Sequence, residues 1–295
     1  MAVSVHAKKC WLHGNSLLIS VGNYLVEGER PMGSHTPPSI RLYIFIFSAG
    51  LIAISGCNRQ DPSTETTNSV DVDTATEAVF VPSVVTESDL PSDIQRDSWA
   101  RLPLPNRASL DNDGQRAFDA IINPDSRYAD GPRGPIAMWL YSPAMAEHIF
   151  PASTYLRFGT DKDQRLTELA ILATAREVRS QYEWSAHEPL ALDAGLETEI
   201  IEWVKHRRTL DTPLPGLGDT ERLIVQFARE LISEERLSIE TFTRAQELLG
   251  NRGVMDLTGL IGYYNFVNLT LKTFDVQLAP GRTRLLPNFW TESAP

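Results

Sequence analysis

From Trp99 onward the apolar residues recur at helical spacing, and no stretch shows the strict alternation of a half-buried strand. Residues 110–122 predict a helix that opens near Asp111 or Asp113 and stops before Pro124. A Gly/Pro loop follows over residues 123–135, then two helices at 136–140 and 143–158, the second with Pro143 at an early position. Leu166, Leu169, Ala170, Ala173 and Val178 share one face of a further helix, with Thr160 and Asp161 as cap candidates. The next helix carries His187 and stops at Gly195. Residues 197–206, 221–232 (capped by Asp219 or Thr220) and a stretch from the cap Ser238 to Gly250 predict three more. The last, from about Gly253 to Phe274, is apolar on most sides, as befits the centre of a core or a subunit contact. No repeat of fixed period occurs. The expected fold class is all-α, a single helical domain over residues 99–280 with a Pro-rich tail at 281–295.

Upstream the pattern changes. Residues 42–54 (LYIFIFSAGLIAI) form an unbroken run without charge. That is short of the roughly 20 residues of a spanning helix and fits the about 7–15 of a signal-peptide core. The run ends in Ile54-Ser55-Gly56-Cys57, which resembles the lipobox of bacterial lipoproteins, where cleavage before the cysteine exposes it for acylation. Met32 stands at a normal distance for a start, and residues 1–31 read as an extension of the frame. The expectation is a signal segment at 1–56, lipidation at Cys57, and a location at the bacterial cell envelope. Residues 57–98, rich in Ser, Thr, Asp, Glu and Val, predict a disordered acidic tether.

Composition then excludes whole classes. The net charge of −11 argues against nucleic acid as a partner, since phosphate binding needs a positive surface. The chain has two cysteines, Cys10 and Cys57, so residues 58–295 hold no disulfide, thiolate metal site or cysteine nucleophile. With His148, His187 and His206 as the domain's histidines, no metal site is expected.

Candidate chemistry concentrates in residues 165–195. Tyr182, Glu183, Trp184, His187 and Glu188 fall within seven residues, and Glu183 and His187 are four apart, on one helical face. Glu168 sits inside an apolar helix, where a carboxylate needs a partner: either it joins this site or it is held by an arginine such as Arg165 or Arg176. Tyr182 and Trp184 read as pocket wall or core, as do Tyr263 and Tyr264, and His148 and His206 as structural. The sequon Asn268-Leu269-Thr270 lies in an apolar helix and reads as a chance match.

These residues resemble the carboxymuconolactone decarboxylase and alkylhydroperoxidase D superfamily. The resemblance rests on Arg165, Glu168-Leu169-Ala170-Ile171-Leu172, Tyr182-Glu183-Trp184, His187 and Ala194-Gly195-Leu196, with Gly134-Pro135, Ser142-Pro143 and Gly262-Tyr263-Tyr264 in support. The peroxidase branch uses a Glu, a CxxC pair and a His; here Ser180 and Glu183 stand at the cysteine positions, and neither can run a dithiol cycle. The decarboxylase-like branch, which carries YEW as this chain does, implies an all-helical trimer or hexamer that uses no cofactor. Its reference reaction removes CO2 from a carboxylated muconolactone in aromatic-acid breakdown. The resemblance thus implies a small-molecule substrate with Glu168, Glu183 and His187 as acid–base groups. Tyr182, Trp184 and Tyr264 are then expected around the substrate, and Arg165, Arg176 or Arg157 on its carboxylate.

Overall fold

Residues 80–288 are described by the structure, a computed structural model. Eight helices occur among them: α1 (Asn112–Ile121), α2 (Gly134–Trp139), α3 (Pro143–Thr154), α4 (Gln164–Glu177), α5 (Gln181–Asp193), α6 (Thr198–Lys205), α7 (Asp219–Ser233) and α8 (Ile239–Phe274). The fold is all-α. None of these helices is long and apolar enough to cross a membrane. Cys57 and the apolar run at 42–54 lie outside the described residues.

Helix α4 is the centre. Thr167 through Ala175 are all buried, so the helix has no solvent stripe, and it packs against α5, α6, α7 and α8. Its Leu169, Ile171 and Leu172 meet Trp184, Trp203, Phe227, Leu260 and Ile261 in the main core. A second core forms where α1 and α2 close over the C-terminal part of α8, around Ile121, Tyr128, Trp139 and Leu271. Trp139 stacks on Phe266 at 5.4 Å and donates its indole N–H to the Thr270 hydroxyl at 2.9 Å. Tyr263 touches both cores, so α8 ties them together.

Several local expectations are corrected. Asp163, not Thr160 or Asp161, caps α4, its carboxylate accepting the Arg165 N–H. Gly218 rather than Asp219 or Thr220 opens α7, with the Glu221 carboxylate reaching back to the Gly218 N–H at 3.0 Å. Helix α3 stops at Thr154 instead of running to residue 158, and Tyr155–Gly159 widens into a single π-type turn. Pro151 inside α3 has no N–H for the preceding turn, which loosens the ladder just ahead of that turn. The break expected at Gly250 is present: this residue takes φ 65° and ψ 171°, a conformation open to glycine, and divides α8 into two helical stretches.

The domain is also longer than 99–280. Ser83–Val84 (β1) pairs antiparallel with Thr283–Arg284 (β2). Val85 and Ile94 are buried, the Gln277 N–H donates to the Trp99 carbonyl, and Leu286 enters the main core. The expected tether therefore gives way to folded chain by residue 80, and the expected tail packs through Leu286. Two-residue strands and isolated apolar side chains leave no periodicity in the sequence, which is why the boundaries fell short. A chain beginning at residue 99 forfeits the burial of Val85 and Ile94. It should lose about 3 kcal/mol against one beginning at residue 80, read as a lower urea midpoint.

Candidate active site

Glu168, Glu183 and His187 converge. The α4 backbone carries Glu168 into the main core, and α5 crosses it with Glu183 and His187 one turn apart on the facing side. The His187 Nδ1 lies 2.7 Å from Glu168 Oε2, and its Nε2 lies 3.4 Å from Glu183 Oε2. The second oxygen of Glu168 accepts from Arg157 Nη2 at 3.0 Å, and Arg157 comes from the π-type turn. All four side chains are buried, with 3–5% of their surface exposed. The Tyr264 ring from α8 stands edge-on to the imidazole at 5.1 Å.

Burial by itself would pull the His187 pKa down, but hydrogen bonds and charge from Glu168 and Glu183 outweigh it and raise the value above the ordinary 6.5. Burial likewise favours the neutral acid at Glu168, yet His187 and Arg157 together hold its carboxyl below the ordinary 4.5. The cluster is thus two cations against two carboxylates, a balance that holds only while the imidazole is protonated. The imidazole is thus held between two carboxylates, one on each ring nitrogen.

His187 and Glu183 form the floor of a cleft of about 650 Å³. Tyr182 lines its wall, and the Gly/Pro loop before α2 supplies Arg127, Tyr128 and Arg133. Gly134, with φ +60°, lies so close that a Cβ there would come within 2.3 Å of the Tyr182 hydroxyl, so loop and α5 meet only because this residue is glycine. The Arg127 and Arg133 guanidinium carbons lie 4.9 and 5.1 Å from the Tyr128 ring centre, within cation–π range, and Arg127 donates to the Tyr128 hydroxyl at 2.6 Å. Arg282 and Trp99 complete the mouth. Trp99 holds φ 55°, rare for a bulky side chain. None of these loop and terminal residues was expected from the sequence. Their signal was an Arg- and Tyr-bearing loop thirteen residues long between two helices, where binding groups concentrate.

Other expected site residues are elsewhere. Arg165 does not line the cleft; it is clamped between Glu197 at 2.5 Å and Glu221 at 2.6 Å, linking α4 to the start of α6 and α7. Arg176 also lies off the cleft and donates to the Lys205 carbonyl at 2.7 Å, while burial and the neighbouring arginines lower its pKa. The role of pairing Glu168, expected of Arg165 or Arg176, belongs to Arg157. Trp184 is wholly buried, with its indole N–H on Glu188, whose carboxylate also meets Lys205. Tyr264 backs the imidazole without lining the cleft. Among the described residues no cluster of histidine, cysteine and carboxylate groups is placed to hold a metal ion.

No protein-family model and no curated protein matches the chain. Among solved structures it is similar to one described as the alkylhydroperoxidase AhpD core, an uncharacterized peroxidase-related protein from Ralstonia eutropha JMP134. That likeness has 15% identity, covers 60% of this chain and 91% of the other, and gives a TM-score of 0.48.

Two outcomes follow from the charge balance. Glu168→Gln leaves Arg157 buried without its counter-charge and should cost about 3–5 kcal/mol in urea unfolding at pH 7. Because the folded-state value of His187 is raised, its contribution is full below pH 6.5 and is lost as pH rises through the folded pKa. The gap in stability between the wild type and His187→Gln should therefore shrink on the alkaline side. A gap that widens there contradicts the protonated imidazole.

Proposed function

We propose that this domain is a cofactor-free acid–base enzyme of the lyase or decarboxylase type, acting on a small carboxylated or lactone substrate. The observation that carries the reading is the imidazole of His187, held between two buried carboxylates at the floor of a cleft rimmed by arginines. In this reading Arg133 and Arg282 hold the substrate carboxylate at the rim, as planar forks suited to it. The C–CO2 bond breaks and its electron pair stays on a carbon that delocalises it. The protonated His187 then delivers its Nε2 proton to that carbon, and water reprotonates the ring. Glu168 fixes the ring through Nδ1, and Glu183 stabilises the charge on the other side. The resemblance to the carboxymuconolactone decarboxylase branch points the same way. From that resemblance comes an assembly of three or six copies, and from the lipobox-like Ile54-Ser55-Gly56-Cys57 come a lipid anchor at Cys57 and a place on the cell envelope. Exposed Phe158, Met255 and Leu269 are apolar enough to serve subunit contacts.

A peroxidase role from the same superfamily is disfavoured, because Ser180 and Glu183 stand where its thiols are required and no cysteine lies beyond Cys57. A non-catalytic ligand-binding protein is the second reading. The observation favouring it is that both ring nitrogens of His187 already face carboxylates, as in a purely structural ion cluster. A panel of small carboxylated lactones and aromatic-ring cleavage products, followed by CO2 release, separates the two. With a turned-over substrate, His187→Ala should lower kcat roughly 10²–10⁴-fold. Arg133→Gln should instead raise KM roughly tenfold, with kcat nearly unchanged. Turnover that survives His187→Ala removes the catalytic reading, and binding without turnover in the wild type selects the second.

A further inference from the structure

A smaller polar pocket, of about 210 Å³, opens at the N-terminal end of α5, beside the cleft and distinct from it. Tyr182, Gln277 and Leu278 line both spaces, but His187 and Glu183 belong to the cleft alone. Ser180, the α5 cap, lines the pocket with its hydroxyl, which accepts only a long 3.4 Å bond from the Glu183 N–H and keeps its own proton to donate. Gln181 and Tyr182, the first two residues of this thirteen-residue helix, line the pocket as well, and a helix N-terminus favours negative charge.

Asn268 is the decisive residue. It is 96% buried, since only 4% of its surface is exposed, and it lines this pocket from α8. No hydrogen bond joins its carboxamide to another described residue, and its nitrogen and oxygen are not sealed from solvent, so the polar end of this otherwise buried side chain meets the space of the pocket. A carboxamide placed there is satisfied by water or by a ligand that replaces it. Lys272, one turn further along α8, lies at the same opening without an ion pair among the described residues, and Arg284 of β2, 3.5 Å from Asp89, adds a guanidinium. Asp275 is the carboxylate on the lining; Arg101 lies 3.9 Å from it and Gln277 donates to it.

We propose that this pocket is a second binding site, for a small oxyanion presenting a carboxylate or phosphate group. Asn268 and Ser180 donate to its oxygens, the α5 N-terminus faces it, and Lys272 and Arg284 balance its charge. The site does not depend on the reaction assigned to the cleft. It gives a role to Asn268, whose sequon is too deeply buried to be a modification site in the folded domain.

Isothermal titration of the full chain with inorganic phosphate, and separately with acetate, tests the assignment at constant ionic strength. Saturable binding of at least one anion is expected, and the pair shows whether phosphate or carboxylate is preferred. Lys272→Gln, at the surface, should weaken it roughly tenfold, and Asn268→Leu at least as much. Asn268→Asp keeps the shape of the side chain and adds repulsion, so it serves where the leucine variant does not fold. Arg133→Gln, on the cleft rim, removes any carboxylate binding that belongs to the cleft and should leave the Lys272-dependent binding unchanged. Absence of saturable binding for both anions overturns the proposal. So does binding that survives the Lys272 and Asn268 substitutions, or that disappears with Arg133→Gln.

Discussion

The ion cluster of Arg157, Glu168, His187 and Glu183 constrains everything around it. Four ionisable groups removed from water are costly, and their mutual attraction offsets that only when charge and hydrogen bonding close. Closing them requires three segments at once: α4 for Glu168, α5 for Glu183 and His187, and the π-type turn for Arg157. An ordinary helical turn at 155–159 would rotate Arg157 away from α4. The wider turn after Pro151 therefore has a structural consequence: it supplies the counter-charge for Glu168. The long apolar face of α4 and the edge of Tyr264 then keep water from the imidazole, which strengthens each interaction inside.

What was legible in the sequence was local. Glu183 and His187 share a helical face by spacing alone, and Asp111 and Ser238 cap their helices where expected. The continuous burial of α4 follows from an apolar run with no polar stripe. Arg157 was not legible as the partner of Glu168, because eleven residues and a change of helix type separate them. Arg165 misled for the converse reason. It stands three residues before Glu168, close to the same face, yet the open end of α4 lets it turn to Glu197 and Glu221, which arrive from α6 and α7. The arginines of the cleft rim lie in a loop without periodicity, and only the tertiary approach permitted by Gly134 brings that loop over α5.

The Ser180 and Glu183 positions gain meaning from the two spaces beside α5. A dithiol pair must present two sulfurs to one another, so both positions must face a common centre. Here they divide. Glu183 turns into the cleft and meets His187, whereas Ser180 caps the helix and faces the smaller pocket with Asn268. Tyr182 stands between them with its hydroxyl against Gly134 and borders both spaces; burial, followed by the nearby charge of Glu183, raises its pKa, so it remains a neutral wall. One turn of helix thus separates the carboxylate that meets His187 from the hydroxyl that faces the smaller pocket, and neither side chain can supply the sulfur chemistry of a dithiol pair.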